Sequence, residues 1–96
     1  MSRVIHTHIK DEAQMIRRLK EEGYFNIFVW EDRAGTRYAE HTHPHHEVRW
    51  VISGVLEIEE EGRVVRLEPG DRLESPPHTP HSAYVPQTVR YVCASR

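Results

Sequence analysis

Gly35-Thr36-Arg37-Tyr38-Ala39-Glu40-His41-Thr42-His43-Pro44-His45-His46-Glu47, closed by Gly54 and answered downstream by His81, is the stretch from which the fold is read. Two histidines one residue apart, with a carboxylate four further on, have metal-ligand spacing rather than the spacing of a catalytic triad or a phosphate loop. In a β-strand, side chains i and i+2 project from the same face, so His41 and His43 can converge on one ion. Glu47 can join them if the chain turns at Pro44 and resumes as a strand. A third imidazole from a distant strand would complete a three-histidine, one-carboxylate site. Such a set implies a barrel with a transition metal in its interior.

The rest of the chain agrees with an all-β reading. Residues 3–9 look like a short strand. A helix then opens near Asp11 and runs to about Glu22, with Met15, Ile16 and Leu19 on one stripe and Gly23 placed as its C-terminal cap. From Tyr24 the texture turns to β. The segment 24–30 is apolar on both faces, which predicts a strand covered on both sides. Strands follow over 36–43 and 47–52, a turn at Ser53-Gly54, and a half-buried strand over 55–59. Glu60-Glu61-Gly62 marks a hairpin into 63–67, Pro69-Gly70-Asp71 another turn, and Pro76-Pro77 and Pro80 further breaks. Strands over 81–85 and 88–94 finish the chain. Many short strands at such spacing predict a sandwich or barrel.

Composition narrows the function. Ninety-six residues make one small domain, which buries only about 60–65% of its unfolded surface. Hydrophobic residues are 38% of the chain, a thin supply for an autonomous core, so a homodimer is expected. The net charge of −2 and pI near 6.4 argue against nucleic acid as a partner, since no basic stripe is present. Arg17 and Arg18 lie among Asp11, Glu12, Glu21 and Glu22, as on a solvated helix face. The single cysteine, Cys93, allows no internal disulfide and reads as a small apolar residue of the last strand. No apolar run approaches the roughly 20 residues that span a bilayer, and the N-terminus has no signal-peptide core. A cytoplasmic protein with no membrane partner is the expectation.

Alternation places Arg37, Ala39, His41 and His43 on one face, and Glu47, Arg49, Val51 and Ser53 on another. His81, Ala83 and Val85 form a third such row. If the histidines and Glu47 point inward, Arg49, Val51, Ala83 and Val85 line the same cavity, while Tyr38, Val48, Trp50 and Ile52 point away. That outward apolar face needs a cover, either the helix or another subunit.

These residues resemble the motifs of the cupins. The first motif is Gly, five residues, His-x-His, three or four residues, Glu, six residues, Gly; Gly35, His41, His43, Glu47 and Gly54 match it throughout. The second is Gly, five residues, Pro-x-Gly, two residues, His, three residues, Asn. Gly70, Pro76 and His81 match, whereas His78 stands at the glycine and Val85 at the asparagine. The resemblance implies a double-stranded β-helix, the cupin jelly-roll barrel, over about 24–94, preceded by the strand and helix of 3–22. It implies His41, His43, Glu47 and His81 as ligands of a divalent transition metal, whether Fe, Ni, Mn, Zn, Co or Cu. Imidazole and carboxylate donors do not choose among these, and the absence of thiolates argues against a structural zinc site.

Eight histidines in the chain also make a His-x-His pair easier to reach by chance. His45 and His46 read as exposed rim residues, and His6 and His8 as ordinary strand histidines without a carboxylate partner. His78 is a candidate acid/base group at the cavity mouth, with Tyr38 ranked below it because its parity points away. Arg49 is costly to bury unpaired, so it needs an anion, either Glu74 or Glu40 or a bound substrate. The run Glu47-Val48-Arg49-Trp50-Val51-Ile52-Ser53-Gly54 also resembles acireductone dioxygenases, much longer metal cupins with a substrate-holding arginine in this place. The leading expectation is a metal-dependent enzyme, dioxygenase in type, on a small anionic, oxygen-rich molecule. Rival expectations are a non-catalytic module that binds a small acid or sugar, and an oxygen-independent isomerase or lyase.

Overall fold

Two long strands organise the structure, a computed structural model that describes residues 2–96. They are β4 (Glu47–Glu60) and β7 (His81–Ser95), and they run antiparallel with Glu47 opposite Ser95 and Glu59 opposite Ser82. Each is flanked by two short strands. β6 (Asp71–Ser75) pairs with the first half of β4, and β1 (Arg3–His6) pairs with β6. β5 (Arg63–Leu67) pairs with the second half of β4. On the far side of β7, β2 (Phe28–Asp32) takes its C-terminal half and β3 (Arg37–His41) its N-terminal half. The result is an antiparallel jelly roll whose two halves share β4 and β7.

Separate strands were expected on either side of Ser53-Gly54, and again over 81–85 and 88–94; each pair is one continuous strand. The chain bends at Gly54 instead of reversing. Three register shifts fall between Val51 and Glu57, and Gly54 has φ +79. A Cβ there would sit 1.9 Å from the Thr88 carbonyl oxygen, so only glycine lets β7 pass this close. The hairpin at 60–62 forms as expected, with Glu61 and Gly62 both at positive φ, the backbone that a two-residue primed turn requires. β6 was not anticipated between its flanking turns.

Helix α1 (Glu12–Glu21) starts where Asp11 caps it, its side chain accepting from the Gln14 N–H at 2.9 Å, and Gly23 follows its end at φ +90. Its Met15 and Leu19 are fully buried against Val48, Trp50, Val92 and Ala94. Burying such side chains stabilises by about 1.5–3 kcal/mol each. The helix is therefore the cover over the outward face of β4. Trp50 donates its indole N–H to Thr7 Oγ1 at 3.0 Å, and Arg72 of β6 reaches Glu22 at 2.5 Å. A second cluster, including Val51, Leu56, Ile58, Leu73, Val85 and Val89, fills the space between the halves. Val51 and Val85 belong to this packed core rather than to an open cavity.

The strand expected over 24–30 starts only at Phe28, and it is not covered on both sides. Val29 packs beneath the helix, but Phe28 and Trp30 are about half exposed and Phe25 is 73% exposed. Among the described residues no helix is long and apolar enough to cross a membrane.

Candidate metal centre

β3 and β7 pair with His41 directly opposite His81, and the loop after β3 folds His43 back over both. The ligand-capable atoms of the three imidazoles lie within 4.8 Å of one another. Their ring centroids are 4.4 to 5.3 Å apart. Two rings have their tautomers set by backbone. His41 Nδ1 lies 2.6 Å from the Ala39 carbonyl and His81 Nδ1 lies 2.9 Å from the Thr79 carbonyl. A carbonyl only accepts, so each Nδ1 carries the proton and each Nε2 presents a lone pair. Burial, aided by the Arg49 guanidinium and the neighbouring imidazoles, holds His81 below the usual histidine range. Burial likewise holds His43 low, against the pull of the Glu47 carboxylate. The neutral form they favour is the one that coordinates.

Glu47 opens β4 with its Oε1 3.4 Å from His43 Nε2. It lies beside the three imidazoles without belonging to their mutually close set. Between it and His81 sits Arg49. The Arg49 Nη2 lies 3.3 Å from Glu47 Oε1 and donates to His81 Nε2 at 3.0 Å. Its Nη1 is buried without a hydrogen-bond partner. The carboxylate beside Arg49 is thus Glu47, two residues away on the same face of the same strand, not Glu74 or Glu40. Glu74 pairs with Arg3 and Arg72, and Glu40 is exposed on β3.

Other expectations need correction. His78 is exposed and does not line the cavity. It occupies the motif's glycine position at φ +62, and its backbone N–H donates to the His43 carbonyl at 2.7 Å. Its role visible here is to brace the loop that carries His43. Tyr38, expected to point away, does line the cavity: one extra residue on β3 between Tyr38 and His41 shifts the register and reverses the parity. His46 is half-buried and packs near Tyr24, with ring centroids 6.0 Å apart. His6 does have a carboxylate partner, Asp71 Oδ1 at 2.6 Å across β1 and β6.

The three imidazoles, Glu47 and Arg49 form the polar end of a cavity of about 340 Å³. Leu56, Ile58, Ala83 and Cys93 supply apolar lining, and Phe28, Trp30, Tyr38 and Tyr91 an aromatic wall. Behind that wall Asp32, 8% exposed, accepts from Trp30 Nε1 at 3.1 Å, Tyr38 Oη at 2.8 Å and Tyr91 Oη at 2.9 Å. Burial drives the Tyr91 phenol far above its ordinary range and pushes the Cys93 thiol up to about 12. Both stay protonated at neutral pH. Tyr91 and Cys93 were missed by sequence reasoning, although the odd-numbered register of His81 and Ala83 leads to them along β7. Asp32 gave no comparable indication, because its three partners come from separate positions in the chain.

The donor set fits a divalent transition metal. It offers three imidazoles, two of them oriented by backbone carbonyls, with an adjacent carboxylate and no thiolate ligand.

Comparison with known proteins agrees with this architecture. No curated protein matches the chain in sequence. A DUF861 family protein from Thermotoga maritima superposes over 100% of both chains at 18% identity, with a TM-score of 0.70. The DMSP lyase DddQ from Ruegeria pomeroyi DSS-3 is 29% identical over 73% of this chain and 36% of its own, with a TM-score of 0.67. The salicylate 1,2-dioxygenase of Pseudoaminobacter salicylatoxidans is 25% identical over 72% of this chain but 20% of its own, with a TM-score of 0.67. This chain thus spans only a minor part of the two enzymes. The family model for the cupin domain matches residues 28–94, the stretch that contains all the converging histidines, and the chain belongs to the cupin domain family.

Proposed function

We propose that the protein is a metal-dependent enzyme acting on a small anionic, oxygen-rich molecule, with dioxygenase chemistry as the leading reaction type. The observation that carries this reading is the convergence of His41, His43 and His81 beside Glu47 and Arg49 at one end of an otherwise apolar and aromatic cavity. His41, His43, Glu47 and His81 would hold the ion. Such an ion would supply Lewis-acid chemistry toward the oxygen atoms of a substrate. The guanidinium of Arg49 is placed to neutralise negative charge on a substrate carboxylate or enolate. Tyr38 and Tyr91, held protonated, keep the aromatic wall uncharged, and Leu56 and Ile58 exclude water from the floor.

The likeness to a salicylate 1,2-dioxygenase supports oxygen chemistry on such a scaffold. An oxygen-independent lyase or isomerase is the second reading, favoured by the 29% identity to a DMSP lyase. The same proposal takes the protein as cytoplasmic and homodimeric, the latter on its modest apolar content and exposed Phe25 and Phe28.

Elemental analysis tests the centre. Wild type should purify with stoichiometric transition metal, and His41→Ala and His81→Ala should lose most of it; equal content in all three refutes the assignment. Protein loaded with iron, nickel or manganese is then incubated with diketones, enediols and keto acids. Product with oxygen uptake supports the dioxygenase, product without it the lyase or isomerase, and tight binding without product a binding module.

A further inference from the structure

Arg49 occupies an unusual place. Its side chain is only 13% exposed, and Nη2 contacts two of the groups assigned above as metal ligands, His81 Nε2 at 3.0 Å and Glu47 Oε1 at 3.3 Å. The two contacts differ in kind. A carboxylate has lone pairs for several partners, so Glu47 can face a cation and Arg49 together. A neutral imidazole has one acceptor nitrogen. The His81 Nδ1 proton is committed to the Thr79 carbonyl, so Nε2 is that single acceptor. It can receive the Arg49 N–H or coordinate an ion, not both. A guanidinium beside a divalent ion is also repelled unless an anion lies between them.

The other half of the guanidinium completes the picture. Nη1 is buried and has no acceptor, an expensive state for a charged donor. Releasing His81 would leave Nη2 short of a partner as well. Carboxylate oxygens are the acceptors that match this fork, and the cavity beside it is large enough for a small organic acid.

We propose that Arg49 is an internal competitor for the metal centre, and that a metal ion and a small carboxylate ligand therefore bind cooperatively. Without metal, Arg49 supplies the positive charge that His81 and Glu47 face. When those two residues coordinate an ion, Arg49 gives up His81 and its donors become a receptor for the carboxylate. Reciprocity follows, so the carboxylate must tighten metal binding by the same factor that metal tightens carboxylate binding. This inference rests on reading His41, His43, Glu47 and His81 as a metal centre.

The test is zinc affinity, measured by competition with a chromophoric chelator, for wild type and Arg49→Met with and without benzoate. Without benzoate the variant should bind zinc on the order of tenfold more tightly, the equivalent of one charge-assisted hydrogen bond removed from a ligand. Benzoate should tighten zinc binding to wild type by roughly tenfold and leave the variant unchanged. Stoichiometric zinc with equal affinities and no benzoate effect overturns the competition while leaving the metal centre standing. No zinc binding to either protein overturns the metal centre and this inference with it. Nitrogen-15 spectra of wild type give a second readout that needs no variant. The Arg49 guanidinium resonances should shift on zinc loading and again with benzoate, and resonances indifferent to zinc would overturn the inference.

Discussion

Asp32 holds the aromatic wall together, and its Oδ2 accepts from Tyr91 while Oδ1 serves Trp30 and Tyr38. Tyr91→Phe preserves the ring and leaves Oδ2 without that donor. Stability near neutral pH should fall by about 1–3 kcal/mol, read from urea unfolding. The pH dependence has a definite sign. Burial raises the Tyr91 pKa above its ordinary 10.0, so the native state keeps the proton where the unfolded chain releases it. The contribution of Tyr91 is complete below about pH 10 and is lost as pH rises beyond it. The stability gap between wild type and Tyr91→Phe should therefore narrow above about pH 10; a gap that stays constant there would mean the phenol is not protected.

The bend in β4 depends on Gly54. Gly54→Ala meets a positive φ and a clash with the Thr88 carbonyl, and should cost about 3 kcal/mol or more. Gly35 has φ +93 but open space around it, so Gly35→Ala should cost only the backbone penalty of about 1–2 kcal/mol. Thermal unfolding of both variants checks this, and equal losses would show that the Thr88 contact adds nothing. The same bends explain what could be read from the chain. Residues 47–50 alternate as their sequence suggests, with Glu47 and Arg49 toward the cavity and Val48 and Trp50 under the helix. The three imidazoles were legible for the same reason, since each lies where simple alternation or a short loop carries it inward. Tyr38 was not, because one extra residue on β3 reverses its direction and side-chain pattern does not announce a bulge. Nor was the Arg49 contact with His81, which depends on two strands meeting across the barrel.

Phe25, Phe28 and Trp30 are partly or largely exposed, and they form the surface on which the proposed homodimer would close. Sedimentation equilibrium should return twice the 11.3 kDa chain mass, and Phe25→Asp should weaken that association. A monomer at every concentration would remove the homodimer. The ladder between β4 and β7 has a further consequence, for the order in which the protein comes into being. The β4–β5 hairpin closes locally, whereas bringing Glu47 to Ser95 closes a long loop at greater entropic cost. On the ribosome, His41 and His43 emerge well before His81, because β7 follows the other strands of this barrel in the chain. A nascent chain therefore exposes isolated imidazoles but not the converged cluster. Any ion that the proposed centre takes would therefore be captured only once β7 has emerged and paired, so its capture would follow folding rather than guide it.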